Sequence, residues 1–356
     1  MSFEFPAMKG HQGGRTFYLV TVPFTYLKRF LAIDTGDVLD RSQRLIDAPR
    51  VESISNYLNS NREDFVLPAL TGVVEDTDLE FIEFGEPGSG VGRLKLTLSA
   101  VVKLFDGQHR ASGIMNAVRR SLFFKADQIA IQLFTGMDLK QRQQAFSDIN
   151  NNAKPVNKSL NMAYSHRDDV IRPLVVAIQK VEAWKDRIDF ERDTVAKSSP
   201  YLFSLKNIIQ ACRIAMAIKK KDVLGNWSHM ELNNYWGVIS TDIGWAEYTE
   251  ERTLVQIPKL SDTAANKVSF TVAGLMTLAR INQQIISRPI TSKAKSYVRG
   301  EALRSIDWGK DAAIWRGNIV KENGNMDASI TAQNAAAAAI MAVYDSVAAK
   351  YTFKKS

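Results

Sequence analysis

Residues 101–114 read VVKLFDGQHRASGI: an apolar run, five polar or glycine residues, then small residues able to begin a helix. The order predicts a buried strand ending near Asp106, a turn through Gly107 and a helix opening at Gln108, His109 and Arg110. A helix start leaves backbone N–H groups unpaired and points the positive end of its dipole into the same corner. Such a corner attracts anions. Gly107 permits close approach of a ligand, and Arg110 can fork onto phosphate oxygens. His109 donates through one ring nitrogen when neutral and both when charged, while Gln108 can read a base, ribose or phosphate edge. Asp106 is expected to cap the helix or orient Arg110 rather than to hold Mg²⁺. In the plainer alternative Asp106 only caps, Gly107 only turns, and His109 and Arg110 are solvated.

Outward from this corner, the first half alternates strand and helix signals. TFYLVTVPF (16–24) is rich in β-branched and aromatic residues, and FVLPALTGVV, LEFIEF and RLKLTL follow after position 65, divided by DTD and the turn-forming GEPGSGVG. They predict a partly antiparallel sheet. DAPRVESISNYLNSN (47–61) predicts a helix with Asp47 as N-cap, Pro49 in the first turn and Val51, Ile54 and Leu58 on one face. After the quoted stretch come a short strand, IAIQLF (129–134), and a helix over 138–150, opened by Asp138 with Gln141 at capping-box spacing and stopped by INNNAKPV. From about 165, segments such as VIRPLVVAIQKVEAW, LFSLKNIIQACRIAMAIKKK, FTVAGLMTLARINQQII and TAQNAAAAAIMAVYDSVAAKY carry helical apolar spacing. The expected fold is therefore an α/β (α+β) domain with a mixed sheet over 1–165, followed by a mainly α-helical domain over 166–356.

With 356 residues, 45% of them hydrophobic, the chain can bury cores of that size. Its 46 Lys+Arg against 38 Asp+Glu favour a polyanionic partner. The single cysteine, Cys212, excludes an internal disulfide, and its apolar helical setting predicts a buried, inert thiol. MSFEFPAMKGHQGGR lacks the charged start and apolar core of a signal peptide, and AAAAAIMAV (335–343) is too short to span a bilayer, so a cytoplasmic protein without a membrane partner is expected. The four histidines lie far apart without zinc-ligand spacing, so no metal site is expected, and GxxxxGK[ST], GxSxG and GxGxxG are absent.

The chain resembles the DGQHR-domain family and, within it, the DndB family encoded with bacterial DNA phosphorothioation systems. The resemblance rests on the pentapeptide together with Gln12-Gly13-Gly14 before FYLVTVPFTYL, RSQRLIDAPRVESISNYLNSNREDFVLPAL with Arg41, Gln43, Arg44, Arg50, Tyr57 and Asn61, and FSDINNNAKPVNKSL. These blocks span about 10–165. The layout is similar to the ParB and sulfiredoxin superfamily, in which a strand–turn–helix of the form Gly-x-x-Arg binds nucleotide phosphates. That likeness implies phosphate contacts from Gly107 and Arg110, a second cation from Arg50, and closure of the site by Asn150, Asn151 and Asn152. The turn lacks a cysteine, which excludes sulfiredoxin-type sulfur chemistry, and Gln108 and His109 stand where ParB proteins carry a carboxylate and two arginines.

The resemblance implies a DNA-binding transcriptional regulator, a repressor of the phosphorothioation gene cluster, modulated by ATP or another nucleotide, with or without Mg²⁺. Its partners would be promoter DNA, phosphorothioation proteins and a second copy of itself. The alternatives are an NTPase, phosphodiesterase or nuclease with Asp106 or His109 as base or metal partner, and a non-catalytic scaffold. For DNA contact two stretches stand out: Lys219, Lys220 and Lys221 at a helix end, and SRPITSKAKSYVRGEALR (287–304) with Arg288, Lys293, Lys295, Arg299 and Arg304. The second, the better candidate, reads as a polar, flexible segment that wraps phosphates or simply links helices. Arg119, Arg120 and Lys125 form a smaller basic cluster.

Overall fold

In the computed structural model, Gly13 and Gly14 reverse the chain at φ 57° and 72° between β1 (Ser2–Gln12) and β2 (Arg15–Pro23). Positive φ at both central residues is what a two-residue hairpin with right-handed strand twist requires, and glycine adopts it without steric cost. Residues 2–12 carry no clear strand signal in the sequence. Phe5 and Ala7 do alternate inward there, but Pro6 interrupts the pattern and much of the strand is exposed. The structure describes residues 2–32, 46–152, 155–196, 199–218, 229–245, 266–289 and 291–351.

The chain divides into two compact units, Met1–Lys154 and Pro155–Ser356. After β2 the first unit continues through α1 (Leu27–Phe30), β3 (Leu31–Ala32), α2 (Ala48–Ser60), β4 (Leu70–Val74), β5 (Leu79–Glu83), β6 (Val91–Thr97), β7 (Val102–Asp106), α3 (Gln108–Arg120), β8 (Gln128–Thr135) and α4 (Leu139–Asn152). Its eight strands form one sheet in the order β3-β7-β4-β8-β2-β1-β6-β5. The pairs β3–β7 and β4–β8 are parallel and the others antiparallel, so the sheet is mixed.

Strand alternation sends successive side chains to opposite faces and decides which helix each face meets. Leu104, Leu70, Ile131 and Leu133 join one core with Ala111, Ile114 and Ala117 of α3 and Leu58 of α2. Phe105, Val73 and Phe134 turn the other way, toward Ala145 and Phe146 of α4. The helix starts follow the sequence signals. Asp47 accepts from the Arg50 N–H at 3.4 Å, and Asp138 and Gln141 close a reciprocal capping box at 2.8 and 3.0 Å.

Gly113 lets α2 and α3 approach closely. A Cβ there would lie 2.5 Å from Ile54 Cγ2 and 3.2 Å from the Val51 carbonyl oxygen. Gly113→Val is therefore expected to push the helices apart and destabilise the first unit by about 1–3 kcal/mol, the usual cost of overpacking. Denaturant unfolding followed by far-ultraviolet circular dichroism checks this, and an unchanged midpoint would contradict it.

The second unit is mainly helical: α5 (Lys158–Ala163), α6 (Ile171–Ile178), a two-stranded parallel pair β9 (Ile188–Asp189) and β10 (Phe203–Ser204), α7 (Leu205–Ala215), α8 (His229–Asp242), α9 (Val272–Ile286), α10 (Ser292–Ser305) and α11 (Ile330–Ala348). Ser204, Thr271, Thr291 and Ser329 each cap a helix by accepting a backbone N–H three residues on. The core centres on Trp184, Trp236 and Trp245, all fully buried. Cys212 lies in this core, and burial pushes its thiol well above the ordinary range. No described helix is long and apolar enough to cross a membrane.

Candidate functional site

β7 ends at Asp106, and the chain turns through Gly107 into α3. Gly107 is the N-cap residue, in the left-handed region at φ 91°, and no side chain caps the helix. Of the two expected roles for Asp106, capping is thus not found and orienting is. Its Oδ2 accepts from Arg110 Nη2 at 2.5 Å. The carboxylate lies at a strand end, too early in the chain to reach the first-turn amides, but one helical turn from Arg110. A guanidinium carries a planar fork of donors, so Arg110 keeps donors beyond the one facing Asp106.

The missing side chain of Gly107 is part of this arrangement. A Cβ there would fall 2.6 Å from Leu70 Cδ2 and 3.0 Å from Arg110 Nη2, so the guanidinium folds back over the bare turn. Gly107→Ala is expected to cost about 1–2 kcal/mol for the left-handed backbone alone. It should also displace Arg110 from Asp106. A fall in melting temperature together with weakened phosphate or nucleotide binding checks it.

His109 joins the corner to α2. Its Nε2 accepts from the Asp47 N–H at 3.0 Å, so that nitrogen is unprotonated and the ring bridges the starts of both helices. At the far end Arg120 forks onto Glu52 at 2.7 and 3.0 Å, which holds the Glu52 carboxyl below its ordinary value. Two contacts thus keep α2 in register with α3, and Arg50, in the first turn of α2, faces the same space as Arg110.

That space is a cavity of about 340 Å³. Arg50, Gly107, Gln108, His109, Arg110 and Asn150, six of the eight residues expected at the phosphate or nucleotide site, line it together with Asp106. Phe105, Phe146 and Pro68 supply apolar wall. Asn150 is braced by a 2.8 Å bond from its Nδ2 to the Phe146 carbonyl. Of the other two, Asn151 is exposed, bonds to Ser147 Oγ at 3.0 Å and does not line the cavity, and the Asn152 side chain is not among those described. Phe105 and Phe146 were missed as wall residues because apolar side chains in a strand and a helix read as core.

The proposed DNA contacts are placed differently. Lys219, Lys220 and Lys221 lie outside the described residues, as do Arg41, Gln43 and Arg44. Much of the 287–304 stretch, expected to be flexible, is the helix α10. Arg299 is buried to 8% exposure, 3.9 Å from Asp242, and Arg304 bonds to the same carboxylate at 2.5 Å. Arg288 pairs with Asp345 at 2.6 Å, and Lys295 Nζ donates to the Ile286 carbonyl at 2.5 Å. Lys293 is exposed, as are Arg119 and Lys125 of the smaller basic cluster. The acids that neutralise the helix come from residues 242 and 345, distant in sequence, so a local charge count could not find them.

No curated protein and no solved structure matches the chain. The DndB family model, described as DNA-sulfur modification-associated, matches residues 5–345, including the DGQHR corner and most of the helical unit. The chain therefore belongs to the DndB family and has its role in DNA sulfur modification systems.

Proposed function

We propose that this protein is a DNA-binding transcriptional repressor of its phosphorothioation gene cluster, whose affinity for promoter DNA responds to a nucleotide held at the DGQHR corner. The observation that carries this reading is the convergence of Arg50, Arg110 and the Gly107 turn on one cavity. Arg50, Arg110 and the positive end of α3 would hold phosphate oxygens, and Gln108, His109 and Asn150 would read the remainder of the nucleotide. The donor set suits phosphate better than a metal, because Asp106, the carboxylate in the lining, is already bound to Arg110.

The same contacts favour binding over hydrolysis. A general base needs a free lone pair beside the reacting proton. The lone pair of His109 Nε2 is engaged by the Asp47 N–H. A nucleotide that binds two conformations unequally shifts the balance between them, which is all that control of DNA affinity requires. For DNA contact within each unit, Arg119 and Lys125 in the first and Lys293 in the second are exposed, whereas burial removes Arg299.

The test is a titration of the full chain against its own promoter and against random duplex, over a range of salt, with and without ATP and CTP. Preferential binding to the promoter, falling steeply as salt rises through release of counterions, is the expected result. Equal binding to both duplexes at moderate salt would sink the repressor reading.

A further inference from the structure

Within the helical unit, α7, α9 and α11 border a groove of about 510 Å³. Its lining includes Arg280 and the carboxamides of Gln210, Gln284 and Asn334, with Ile214 and Ile218 as apolar surface. Arg280 is half-buried, whereas the three carboxamides are exposed, so the groove opens to solvent at its rim. The Arg280 Nε donates to Gln333 Oε1 at 3.1 Å, and Gln333 Nε2 donates in turn to the Ala328 carbonyl at 2.7 Å. A neutral amide therefore aims this guanidinium, and no carboxylate among the described residues neutralises it. Its two Nη groups keep their donors. Burial lowers the Arg280 pKa, and no neighbouring acid offsets that.

The three helices are poor in acid. α7 and α9 carry Lys206, Arg213 and Arg280 but no Asp or Glu, and the one carboxylate of α11, Asp345, pairs with Arg288. Asp327, which precedes α11, accepts from the Ser329 N–H at 2.8 Å. A helix C-terminus carries partial negative charge, so bare carbonyls at the end of α7 would repel an anion. They are engaged. The Arg213 carbonyl accepts from the Ile218 N–H at 2.9 Å, that of Ile214 from Gln283 Nε2 at 2.6 Å, and that of Ala215 from Asn282 Nδ2 at 2.9 Å. The groove thus presents a guanidinium and neutral amides, the complement of an anion rich in oxygen.

We propose that this groove is a contact surface for the phosphate backbone of duplex DNA, with Arg280 on a phosphate and Gln210, Gln284 and Asn334 on neighbouring phosphate or sugar oxygens. This surface presupposes the DNA binding proposed above. A small-molecule site encloses most of its ligand, whereas an open groove rimmed by exposed amides suits a polymer laid across it. Half or more of the hydrogen bonds between proteins and DNA go to phosphate and sugar, and Arg, Asn and Gln are among their donors. Such contacts position the duplex without reading its sequence, so the groove would hold promoter and random DNA alike.

The experiment follows fluorescence anisotropy of labelled promoter and random duplexes titrated with the full chain over a range of salt. Arg280→Gln is expected to weaken both duplexes about tenfold, as loss of a charge-assisted hydrogen bond does. It should also make the salt dependence shallower by about one unit of log K against log salt, because one phosphate contact and its counterion are lost. A merely structural role for Arg280 would not move that slope. Gln284→Ala with Asn334→Ala, both at exposed positions, should weaken binding about fivefold and leave the slope unchanged, since neither side chain is charged. Circular dichroism is expected to match the parent throughout. Should Arg280→Gln disturb folding, because its parent side chain holds Gln333, the amide pair reads the same surface. Promoter binding by the parent with unaltered affinity and slope in folded variants overturns the groove and leaves the repressor reading standing. An Arg280→Gln loss confined to the promoter overturns backbone contact. Failure of the parent to bind either duplex sinks both readings.

Discussion

Arg110→Ala is expected to weaken nucleotide binding at the DGQHR corner by about 2–3 kcal/mol, roughly thirtyfold to 150-fold, the scale of charge-assisted hydrogen bonds in a partly screened site. Arg110 is the cation that the fold itself aims. Its guanidinium lies over the bare Gly107 turn, is oriented by Asp106 at 2.5 Å and is 17% exposed on a cavity of about 340 Å³. Arg50, by contrast, is exposed at the rim. Arg110→Lys separates charge from geometry: it keeps the positive charge but loses the planar fork, so it should recover only part of the affinity. Calorimetric titration of ATP and CTP into the parent and both variants measures this. Unchanged affinity in a folded Arg110→Ala protein would mean that the corner is not where nucleotide binds. The promoter titration shows in parallel whether that loss reaches the DNA.

Trp236→Ala should cost the helical unit about 3–5 kcal/mol, the penalty for truncating a fully buried large aromatic side chain. Trp236 has no exposure, and its ring lies 4.9 Å from Trp184 and 5.0 Å from Tyr235, so removal opens a void between α8 and the segment after α6. For a unit of this size each kcal/mol lowers the melting temperature by about 2–4 °C. All six tryptophans of the chain lie beyond residue 154, at 184, 227, 236, 245, 308 and 315, so fluorescence reports this unit and five probes remain in the variant. A fluorescence melt that matches the parent would show that the indole cluster carries little of the stability.

The corner itself was legible because each part has a local cause. An apolar run of β-branched and aromatic residues makes β7, a glycine is needed where φ is positive, and small residues open α3 close to the sheet. The caps at Asp47 and Asp138 were legible for the same reason, since a cap is a contact across three residues. The change from alternating to helical apolar spacing likewise separated a sheet-bearing first half from a helical second half.

Contacts across long sequence distances were out of reach. The β1 strand owes its place to pairing with β2 and β6 rather than to its own propensity. The basic stretch 287–304 read as flexible because its neutralising acids, Asp242 and Asp345, are supplied by other helices.

By itself, then, the sequence determined the class of each half, the strand–turn–helix corner and the caps, all products of backbone sterics and of side chains within one turn of one another. Tertiary packing decided which charges are spent on internal partners and which remain facing a cavity, because an ion pair depends on distance in space, and residues 62 positions apart meet only once the helices have packed.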